Sequence, residues 1–254
     1  MINIILLGCN GYMGRVVTAI ALSDDEVFIA AGVDITQENS QNFPVYKDFC
    51  SVKEHADVII DFSNPSALPA MLEYAVLNKV PVVLCTTGYD EKQTASIKEA
   101  SKVIPVFKSG NMSIGVNLLA QLVRRACAAL GENFDIEIIE KHHRRKIDAP
   151  SGTALLLADA AASQLSYEPA YVFDRSGLKH PRKETEIGIS AVRGGTIVGQ
   201  HEVIFAGLDE VVELRHTAAS RDVFAVGAIR AAKYIVKTNK PGIYDMSDML
   251  HKEG

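Results

Sequence analysis

The sequence lacks several features that define whole classes of protein. Its four cysteines are scattered singly and form no CxxC pair, which argues against a zinc cage or a disulfide framework and fits a reducing cytoplasm. No apolar run approaches the roughly 18 residues that a membrane-spanning helix needs. Acidic residues outnumber basic residues, 31 to 26, so the broad basic surface that binds nucleic acid is not expected. Internal repeats and low-complexity segments are also missing.

What remains is the composition of a folded globular protein. The 254 residues are 48% hydrophobic and 22% charged, which is ordinary for one large domain or two moderate ones. The first apolar run has no basic residues ahead of it and ends in glycines, so it predicts a buried strand and not a secretory signal. We expect a cytoplasmic protein with no membrane segment.

Apolar strands alternate with helical patterns through the first hundred or so residues. Strands are predicted at 4–8, 27–34, 56–63, 80–88 and 102–107, and helices at 13–22, 65–77 and 91–101. Continuous apolar strands separated by amphipathic helices are typical of a parallel sheet covered on both faces. The sequence therefore predicts an α/β domain with a Rossmann-like, doubly wound parallel sheet.

The pattern changes in the second half of the chain. Strands are predicted at 134–142, 184–193, 199–207 and 209–218, and helices from Gly115 to about 130, from a cap at Ser151 or Thr153, and over 223–237. Short glycine turns between the last three strands indicate antiparallel pairing. We expect a dinucleotide-binding domain over 1–112 and 222–254, and an α+β substrate-binding and oligomerisation domain with an open, mostly antiparallel sheet over 113–221.

Both faces of these later strands carry apolar residues. Examples are Val203, Phe205, Val211 and Leu214. The pattern favours a sheet that another subunit covers, with helices of the same chain as the alternative.

A glycine turn follows the first predicted strand. Gly8, Gly11 and Gly14 would let the chain turn sharply and bring the amides of a helix start to a pyrophosphate. Asn10 occupies the middle glycine position of the usual G-x-G-x-x-G fingerprint, so the spacing here is G-x-x-G-x-x-G. Asp34 closes the second strand, where a carboxylate accepts hydrogen bonds from ribose hydroxyls. The pattern predicts a nicotinamide dinucleotide, with an ordinary turn at Asp34 as the alternative.

Asp34 also bears on which dinucleotide is used. Its carboxylate would repel a 2′-phosphate, and the following Ile35 and Thr36 supply no arginine to hold one. This favours NADH. Arg15 or Lys47 could still hold a phosphate, so NADPH remains the alternative.

Two later strand ends carry small polar residues and glycines. They are 85–88, with the sequence CTTG, and 109–112, with the sequence SGNM. Such residues at the carboxyl ends of parallel strands suit backbone contacts with a cofactor. An ordinary strand-to-helix turn is the alternative for each segment taken alone.

The most distinctive segment is EKHHRRKIDAPSGTA, residues 140–154. Histidines at 142 and 143 can lend or take a proton near neutral pH. Lys146 can hold a carboxylate, and Ser151, Gly152 and Thr153 at a helix start form a second anion site. A metal site is disfavoured because adjacent histidines point apart on a strand and no nearby cysteine completes a ligand set. The pattern favours a pocket for a dianionic small molecule over a plain basic surface loop.

This segment closely resembles the E-x-H-H-x-x-K-x-D-A-P-S-G-T-A signature of the 4-hydroxy-tetrahydrodipicolinate reductase (dihydrodipicolinate reductase) family. The resemblance runs nearly end to end, and its supporting motifs are the G-x-x-G-x-M-G turn, 61–63, the TTG loop, 111–117, Arg193-Gly-Gly and IVGQHEV. Two positions depart from the common family pattern. Many members carry Glu-Arg where this chain has Asp34-Ile35, and many carry Gly in place of Cys85.

The resemblance implies roles for matching positions. His142 is implied as the catalytic acid/base, Lys146 as the proton donor that works with it, and His143, Ser151, Gly152 and Thr153 as substrate contacts. The implied cofactor contacts are Gly8, Cys9, Asn10, Gly11, Tyr12, Met13, Asp34, Cys85, Thr86, Thr87, Ser109, Gly110, Asn111 and Met112. No metal is implied, and the expected assembly is a homotetramer formed through the antiparallel sheet.

The implied reaction is an NAD(P)H-dependent reduction in the diaminopimelate route to lysine. The substrate, 4-hydroxy-tetrahydrodipicolinate, loses water to a conjugated imine, takes a hydride at ring C4 and is protonated through His142 or Lys146. Two other functions stay open on the residues alone. One is a different pyridine-nucleotide dehydrogenase on a similar frame, and the other is a dinucleotide sensor without catalysis.

Overall fold

The computed structural model describes residues 1–36, 42–238 and 240–252. The chain divides into two units, and unit 1 is formed by Met1–Ser113 together with Asp222–Gly254. Unit 2 is formed by Ile114–Arg221. Among the described residues, no helix combines the length and the apolar character needed to cross a membrane. The binding roles expected of the two parts stay predictions.

Strands and helices alternate along most of the chain. The strands are β1 (Ile2–Leu7), β2 (Val27–Val33), β3 (Val45–Tyr46), β4 (Val58–Asp61), β5 (Val82–Leu84), β6 (Pro105–Lys108), β7 (Asp135–His142), β8 (Ala170–Val172), β9 (Glu186–Arg193), β10 (Gly199–Ala206), β11 (Val211–Ala218) and β12 (Gly242–Tyr244). The α-helices are α1 (Tyr12–Ala21), α2 (Leu68–Asn78), α3 (Glu91–Ala100), α4 (Ile114–Leu130), α5 (Gly152–Ala162), α6 (Asp222–Lys237) and α7 (Met246–Lys252).

Unit 1 is built on a parallel sheet with the strand order β12-β6-β5-β4-β1-β2-β3. The chain order reverses between β1 and β4, and such a switch point opens a crevice at the carboxyl ends of the strands. The predicted Rossmann-like, doubly wound sheet is confirmed. The strands β3 and β12 were not predicted, because segments of two or three residues carry too little periodicity.

Helices cover both faces of this sheet. On one face, Leu68 and Met71 of α2 and Ile97 of α3 join Ile5 and Ile59 of the strands in one buried core. On the other face, α6 packs on β4, β5 and β6 and contacts α1. Burial on both faces explains why the strands read as continuous apolar runs.

The chain leaves unit 1 after β6 and returns to it with α6. Gly227 of α6 makes this close return possible, since a Cβ there would lie 1.7 Å from the carbonyl oxygen of Met112. Lys233 of the same helix donates to Asp24 and Glu26 at the turn after α1, with N–O distances of 2.7 and 2.6 Å. The last strand, β12, then pairs with β6.

Unit 2 contains a five-stranded mixed sheet with the order β11-β10-β7-β9-β8. The predicted antiparallel pairing is correct for β10 and β11. It is wrong for β9, which lies parallel to β7 and β8. The turn after β9 crosses the end of β7, where the amide of Gly194 donates to the carbonyl of His142 at 2.9 Å. The chain therefore enters β10 on the far side of β7.

One face of this sheet is covered by helices of the same chain. Val203 and Phe205 of β10 are fully buried with residues of α4 and α5, so the expectation that another subunit covers these two residues is wrong. Leu214 packs partly against the same core. Val211 lies on the opposite face and is 58% exposed.

Candidate active site

The turn between β1 and α1 requires glycine at two positions. Gly8 has a φ of 80°, and a Cβ on it would lie 2.4 Å from the carbonyl oxygen of Phe62. A Cβ on Gly14 would lie 2.2 Å from the carbonyl oxygen of Gly8. The amide of Gly11, the N-cap of α1, donates to that same oxygen at 3.1 Å. The helix start is thereby held close to the ends of β1 and β4.

Asn10 and Asp34 join this turn to the end of β2. The Asn10 amide donates to Asp34 Oδ2 at 2.9 Å, and its side-chain nitrogen donates to the carbonyl of Thr36 at 2.6 Å. Asp34 Oδ1 accepts from both the amide and the hydroxyl of Thr36, at 3.0 and 2.9 Å. Asn10 in the middle glycine position therefore ties the turn to the predicted ribose-binding carboxylate.

Cys9 and Tyr12 flank Asn10 and have opposite surroundings. Cys9 is fully buried, and a Cβ on Gly32 would lie 2.4 Å from its sulfur. Burial, followed by the charge of Asp34, raises the pKa of the Cys9 thiol to about 12. Any cofactor contact from Cys9 therefore comes from its backbone. Tyr12 begins α1 and is 63% exposed.

A cavity of about 300 Å³ opens at the carboxyl ends of the unit 1 strands. It is lined by Met13, Phe62, Cys85, Thr87, Ser109, Gly110, Asn111, Met112 and Phe224. Phe62 and Phe224 are the two of these that were not predicted as contacts. Phe62 follows β4 and had a signal in its place at a strand end. Phe224 comes from the returning helix α6, and nothing in its local sequence indicated it.

Thr86 is tied to the end of β4 by a buried polar network. Its hydroxyl accepts from the amide of Ser63 at 3.1 Å, and that amide also donates to Asp61 at 2.9 Å. Asp61, 1% exposed, accepts from the hydroxyl of Tyr89 at 3.0 Å. Burial raises the pKa of Asp61 in spite of these donors. The Asp61 carboxylate thus joins two of the segments that line the cavity, the one after β4 and the one after β5, a role that sequence reasoning missed.

A second cavity of about 510 Å³ lies along the first turns of α1. It is lined by Asn10, Tyr12, Arg15, Val16 and Ala19. Two predicted contacts, Asn10 and Tyr12, and the alternative phosphate ligand Arg15 therefore share one surface.

The residues of unit 1 fit a nicotinamide dinucleotide. Glycines at 8, 11 and 14 let the turn pack closely against neighbouring backbone at the N-terminus of α1, and the helix dipole there favours a pyrophosphate. The carboxylate of Asp34 is held beside this turn by the hydrogen bond that it accepts from the Asn10 amide. All fourteen predicted cofactor residues lie in this one unit, on strand ends, on loops and in the first turn of α1.

In unit 2 the signature segment begins with a buried carboxylate. Glu140, whose side chain is fully enclosed, accepts from His142 Nδ1 at 2.7 Å and from the Ser151 amide at 3.0 Å. The guanidinium of Arg193 binds both carboxylate oxygens, each at 2.7 Å. Burial alone would raise the pKa of Glu140, but the bonds from Arg193 and His142 outweigh it, so that pKa is lowered. Glu140 is therefore an anion.

His142 lies at the end of β7 with its side chain 11% exposed. Its Nε2 lies 3.2 Å from the position of a Cβ on Gly199. The His201 ring packs edge-on against it at 5.1 Å between centroids. Burial, followed by the charge of His142, lowers the pKa of His201 to about 4, so His201 is a neutral neighbour.

Lys146 and His143 lie on the loop that follows β7, and both are half-buried. Lys146 Nζ donates to Asp148 at 2.8 Å, and its amide donates to the carbonyl of His143 at 3.1 Å. His143 Nε2 lies 3.4 Å from a guanidinium nitrogen of Arg221. Burial and the charges of Arg145 and Arg221 lower the pKa of His143.

The three residues that begin α5 differ in what they present. The Ser151 hydroxyl accepts from the Ala154 amide at 3.1 Å and lies 3.0 Å from His201 Nε2, which confirms Ser151 as the helix cap. At 2% exposed, Ser151 is enclosed in the protein. Gly152 is exposed and Thr153 is half-buried, so these two offer the helix start to a ligand.

Sequence reasoning placed the linear motif but missed its partners from other strands. Glu140 stood in the quoted motif without a role, although its i, i+2 spacing to His142 places both on one face of a strand. Arg193, Gly199 and His201 were noted only as parts of family motifs, without a role of their own. Among the described residues, no three His, Cys, Asp or Glu side chains are grouped to hold a metal ion.

Comparison with known proteins gives consistent matches over nearly the whole chain. Residues 2–112 match the family model described as dihydrodipicolinate reductase, N-terminus, and residues 115–250 match that of the C-terminus. A protein named 4-hydroxy-tetrahydrodipicolinate reductase from Caldanaerobacter subterraneus subsp. tengcongensis is 51% identical over 252 residues, covering 99% of both chains. A protein of the same name from Clostridium tetani is 47% identical, covering 99% of this chain and 98% of its own.

Solved structures show the same fold. A dipicolinate-bound dihydrodipicolinate reductase from Paenisporosarcina sp. TG-14 superposes with a TM-score of 0.79 at 24% identity, over 96% of this chain and 97% of its own. A probable dehydrogenase from Thermotoga maritima superposes with a TM-score of 0.64 at 12% identity, over 97% and 92%. At these identities the likeness concerns the fold alone.

Proposed function

We propose a function from the fact that this chain belongs to the dihydrodipicolinate reductase family. The proposed reaction is the reduction of 4-hydroxy-tetrahydrodipicolinate, via dihydrodipicolinate, to tetrahydrodipicolinate with NADH or NADPH. The observation that carries the proposal is the arrangement around Glu140. One buried carboxylate holds both an acid/base histidine, His142, and the anion-binding start of α5 at Ser151. A dianionic substrate that must be protonated during its reduction needs both.

Unit 1 is proposed to hold the dinucleotide. The amides at the start of α1, beside Gly8 to Met13, bind the pyrophosphate, and Asp34 accepts from the adenosine ribose. The loops at 85–87 and 109–112 line the cavity for the nicotinamide end. The bound cofactor supplies a hydride to ring C4 of the substrate. Because Asp34 is a carboxylate, NADH is the proposed preference, and Arg15 on α1 is the residue that would serve NADPH.

Unit 2 is proposed to hold the two carboxylates of the substrate. Lys146 attracts one of them by charge, exchanging its present partner Asp148 for the ligand. The amides and hydroxyl at Gly152 and Thr153 receive the other, where the helix dipole favours an anion. His143 lies beside Arg145 and Arg221 and adds a polar contact. Dipicolinate in the related Paenisporosarcina protein is a dicarboxylate of similar shape, which supports this choice.

His142 or Lys146 is proposed to deliver the proton to ring C3. His142 keeps Nε2 on the side away from Glu140, so this nitrogen is the one that can face a ligand. Positive charge from Lys146 stabilises negative charge that builds on the substrate during hydride transfer.

The proposal includes a cytoplasmic homotetramer assembled through the unit 2 sheet. The face opposite α4 and α5 carries Ile139, Ile204 and Val211, and Val211 is 58% exposed. Apolar side chains on an uncovered sheet face favour contact with another copy. Sedimentation of the purified protein tests this, and a monomer at micromolar concentration would contradict it.

The test of the reaction uses substrate made fresh from pyruvate and aspartate semialdehyde. NADH and NADPH oxidation are followed side by side for the native protein and for His142→Gln. We expect rapid oxidation by the native protein, faster with NADH, and a loss of kcat of about 10²- to 10⁴-fold in the variant with unchanged NADH affinity. His180→Gln, at an exposed histidine of the same unit, is the matched control and keeps full activity.

One result would contradict the proposed reaction, and another would contradict the role of His142. Folded native protein that binds NADH but oxidises neither cofactor would point to a dinucleotide sensor or to another dehydrogenase substrate. Full turnover by His142→Gln would remove His142 from the acid/base role and leave Lys146 as the donor.

A further inference from the structure

Glu140, the first residue of the signature segment, has no part in the proton transfer described above. We propose that Glu140 is a positioning residue, which fixes His142 with a proton on Nδ1 and Nε2 toward the ligand, and which holds the start of α5 beside it. Arg193 keeps the Glu140 carboxylate in place. This inference rests on the proposed function, because it assigns His142 a task that only a reaction uses.

The contact between Glu140 and His142 determines which nitrogen carries the fixed proton. An ionised carboxylate can only accept hydrogen bonds. The 2.7 Å distance from Glu140 Oε2 to His142 Nδ1 therefore requires a proton on Nδ1. Nε2 is then the nitrogen that gains and loses the mobile proton, as in other sites where a carboxylate sets the tautomer of a histidine.

The carboxylate itself has no freedom to turn. It accepts four hydrogen bonds, from His142 Nδ1, the Ser151 amide and two nitrogens of Arg193. A carboxylate offers about four lone-pair sites, so its acceptor capacity is filled. The bidentate geometry of Arg193 adds directional restraint and compensates the charge that burial would otherwise make costly.

The opposite edge of His142 is left open by a glycine. A Cβ on Gly199 would lie 3.2 Å from Nε2 and 3.6 Å from Cδ2, tight enough to press on the ring. The glycine has no unusual backbone angle that would explain its presence. Glu140 on one edge and Gly199 on the other thus define where His142 Nε2 lies.

Glu140 also links the histidine to the anion site. The oxygen that accepts from the Ser151 amide is bonded to the same carbon as the oxygen that accepts from His142. A shift of the carboxylate therefore moves both the proton donor and the N-terminus of α5. A purely structural ion pair on this strand would have no such connection, and Glu137 provides that comparison.

Glu137 is a matched control on the same strand. It accepts from Arg175 at 2.8 Å and from Arg182 at 3.1 Å, but it lies on the other face of β7 from Glu140. Glu137→Gln and Glu140→Gln therefore each remove one carboxylate that pairs with arginine. Only the second removes a partner of His142.

The first readout is the ¹⁵N and ¹H NMR spectrum of the ligand-free protein with labelled histidines. Seven histidines contribute, and His142 is assigned by the signal that His142→Gln lacks. We expect a downfield proton on His142 Nδ1 in the native protein and in E137Q, and its loss in E140Q. The same Nδ1 proton signal in E140Q would overturn the inference. This measurement uses neither substrate nor cofactor, so it stands even if the proposed reaction is wrong.

The second readout is steady-state kinetics with the substrate and NADH. We expect E140Q to lose about 10²-fold in kcat, the lower end of positioned acid–base catalysis, and to raise the KM for the substrate as well, because the same carboxylate holds the anion-binding start of α5. E137Q should retain native kcat. An altered NMR signal with native kcat would show that the position of His142 does not matter for turnover and would overturn the catalytic part. Absence of turnover in the native protein would overturn the proposed function alone.

A double variant covers the case in which E140Q does not fold because Arg193 is left without its partner. E140Q/R193Q replaces the ion pair with two amides that can bond each other, and it strands no charge. The same loss of the Nδ1 signal is expected. A retained signal in the folded double variant would overturn the inference as firmly as it would in E140Q.

Discussion

Replacing Gly14 with alanine tests the cofactor site through the backbone. A Cβ on Gly14 lies 2.2 Å from the carbonyl oxygen of Gly8 and 2.6 Å from the Cα of Cys9. Both neighbours are backbone atoms, so no change of rotamer relieves the clash. Ordinary contact begins near 3.4 Å, and α1 must therefore move away from the turn by roughly 1 Å, a strain of the kind seen in overpacked cores.

The stability effect of Gly14→Ala is the balance of two opposing contributions. Overpacking costs about 1–3 kcal/mol, whereas alanine in place of glycine within a helix gains about 1 kcal/mol. The free energy of unfolding should therefore fall by only about 1 kcal/mol. Binding is affected more, because a misplacement of about 1 Å in a binding geometry can cost about 10²-fold. We expect the Kd for NADH to rise by about 10- to 100-fold.

The assay is a titration that follows NADH fluorescence on binding. The chain contains no tryptophan, so energy transfer from tryptophan does not contribute to the signal. Urea unfolding followed by circular dichroism reports stability separately. Gly177→Ala is the control, since a Cβ there meets nothing within 4 Å. Native NADH affinity in Gly14→Ala would refute the assignment of this turn as the site that binds the pyrophosphate.

Two further predictions concern stability, both measured by urea unfolding. His201 keeps a pKa of about 4 in the folded state against an ordinary 6.5. Between these pH values only the unfolded chain binds the proton, so the free energy of unfolding falls by up to about 3 kcal/mol as the pH is lowered from above 6.5 to below 4. A pH series in which His201→Gln shows the same slope as the native protein would contradict this. Gly227→Ala should cost about 2–3 kcal/mol, because its Cβ would meet the backbone carbonyl of Met112. Gly188→Ala meets only the movable side chain of Glu137 and should cost less than about 1 kcal/mol; equal losses would contradict the distinction.

The parallel sheet was predictable because its signal is local and repeated. The long strands of unit 1 are apolar runs, and β1, β4 and β5 are each followed by a helix. One of these helices, α3, begins at a capping box formed by Asp90 and Gln93. The pairing of β9 was not predictable in the same way. A glycine turn at 194–195 indicates a change of direction, but it does not reveal that β7 occupies the position between β9 and β10.

The candidate site divides along the same line. His142, Lys146 and the start of α5 lie within fifteen consecutive residues, so composition and spacing placed them together. Arg193 and His201 reach the site only through the register of β9 and β10 on β7. That register depends on packing between segments far apart in the chain, which the local sequence pattern does not indicate. The assignment of Val203 to an intersubunit face was wrong for the same reason. Alternation of apolar residues shows that a sheet face is buried, but it does not show whether helices of the same chain or another subunit bury it.

The discontinuous course of unit 1 has a consequence for how the protein is made. During synthesis, the residues of unit 2 emerge from the ribosome as one uninterrupted segment, and domains generally fold as units in the order in which they appear. Unit 1 begins first but lacks α6 and β12 until more than a hundred further residues have been translated. Until β12 arrives, β6 presents an unpaired edge, the kind of edge that invites aggregation. The edge of β6 therefore stays unpaired until translation is nearly complete, and the unit that is started first is completed last.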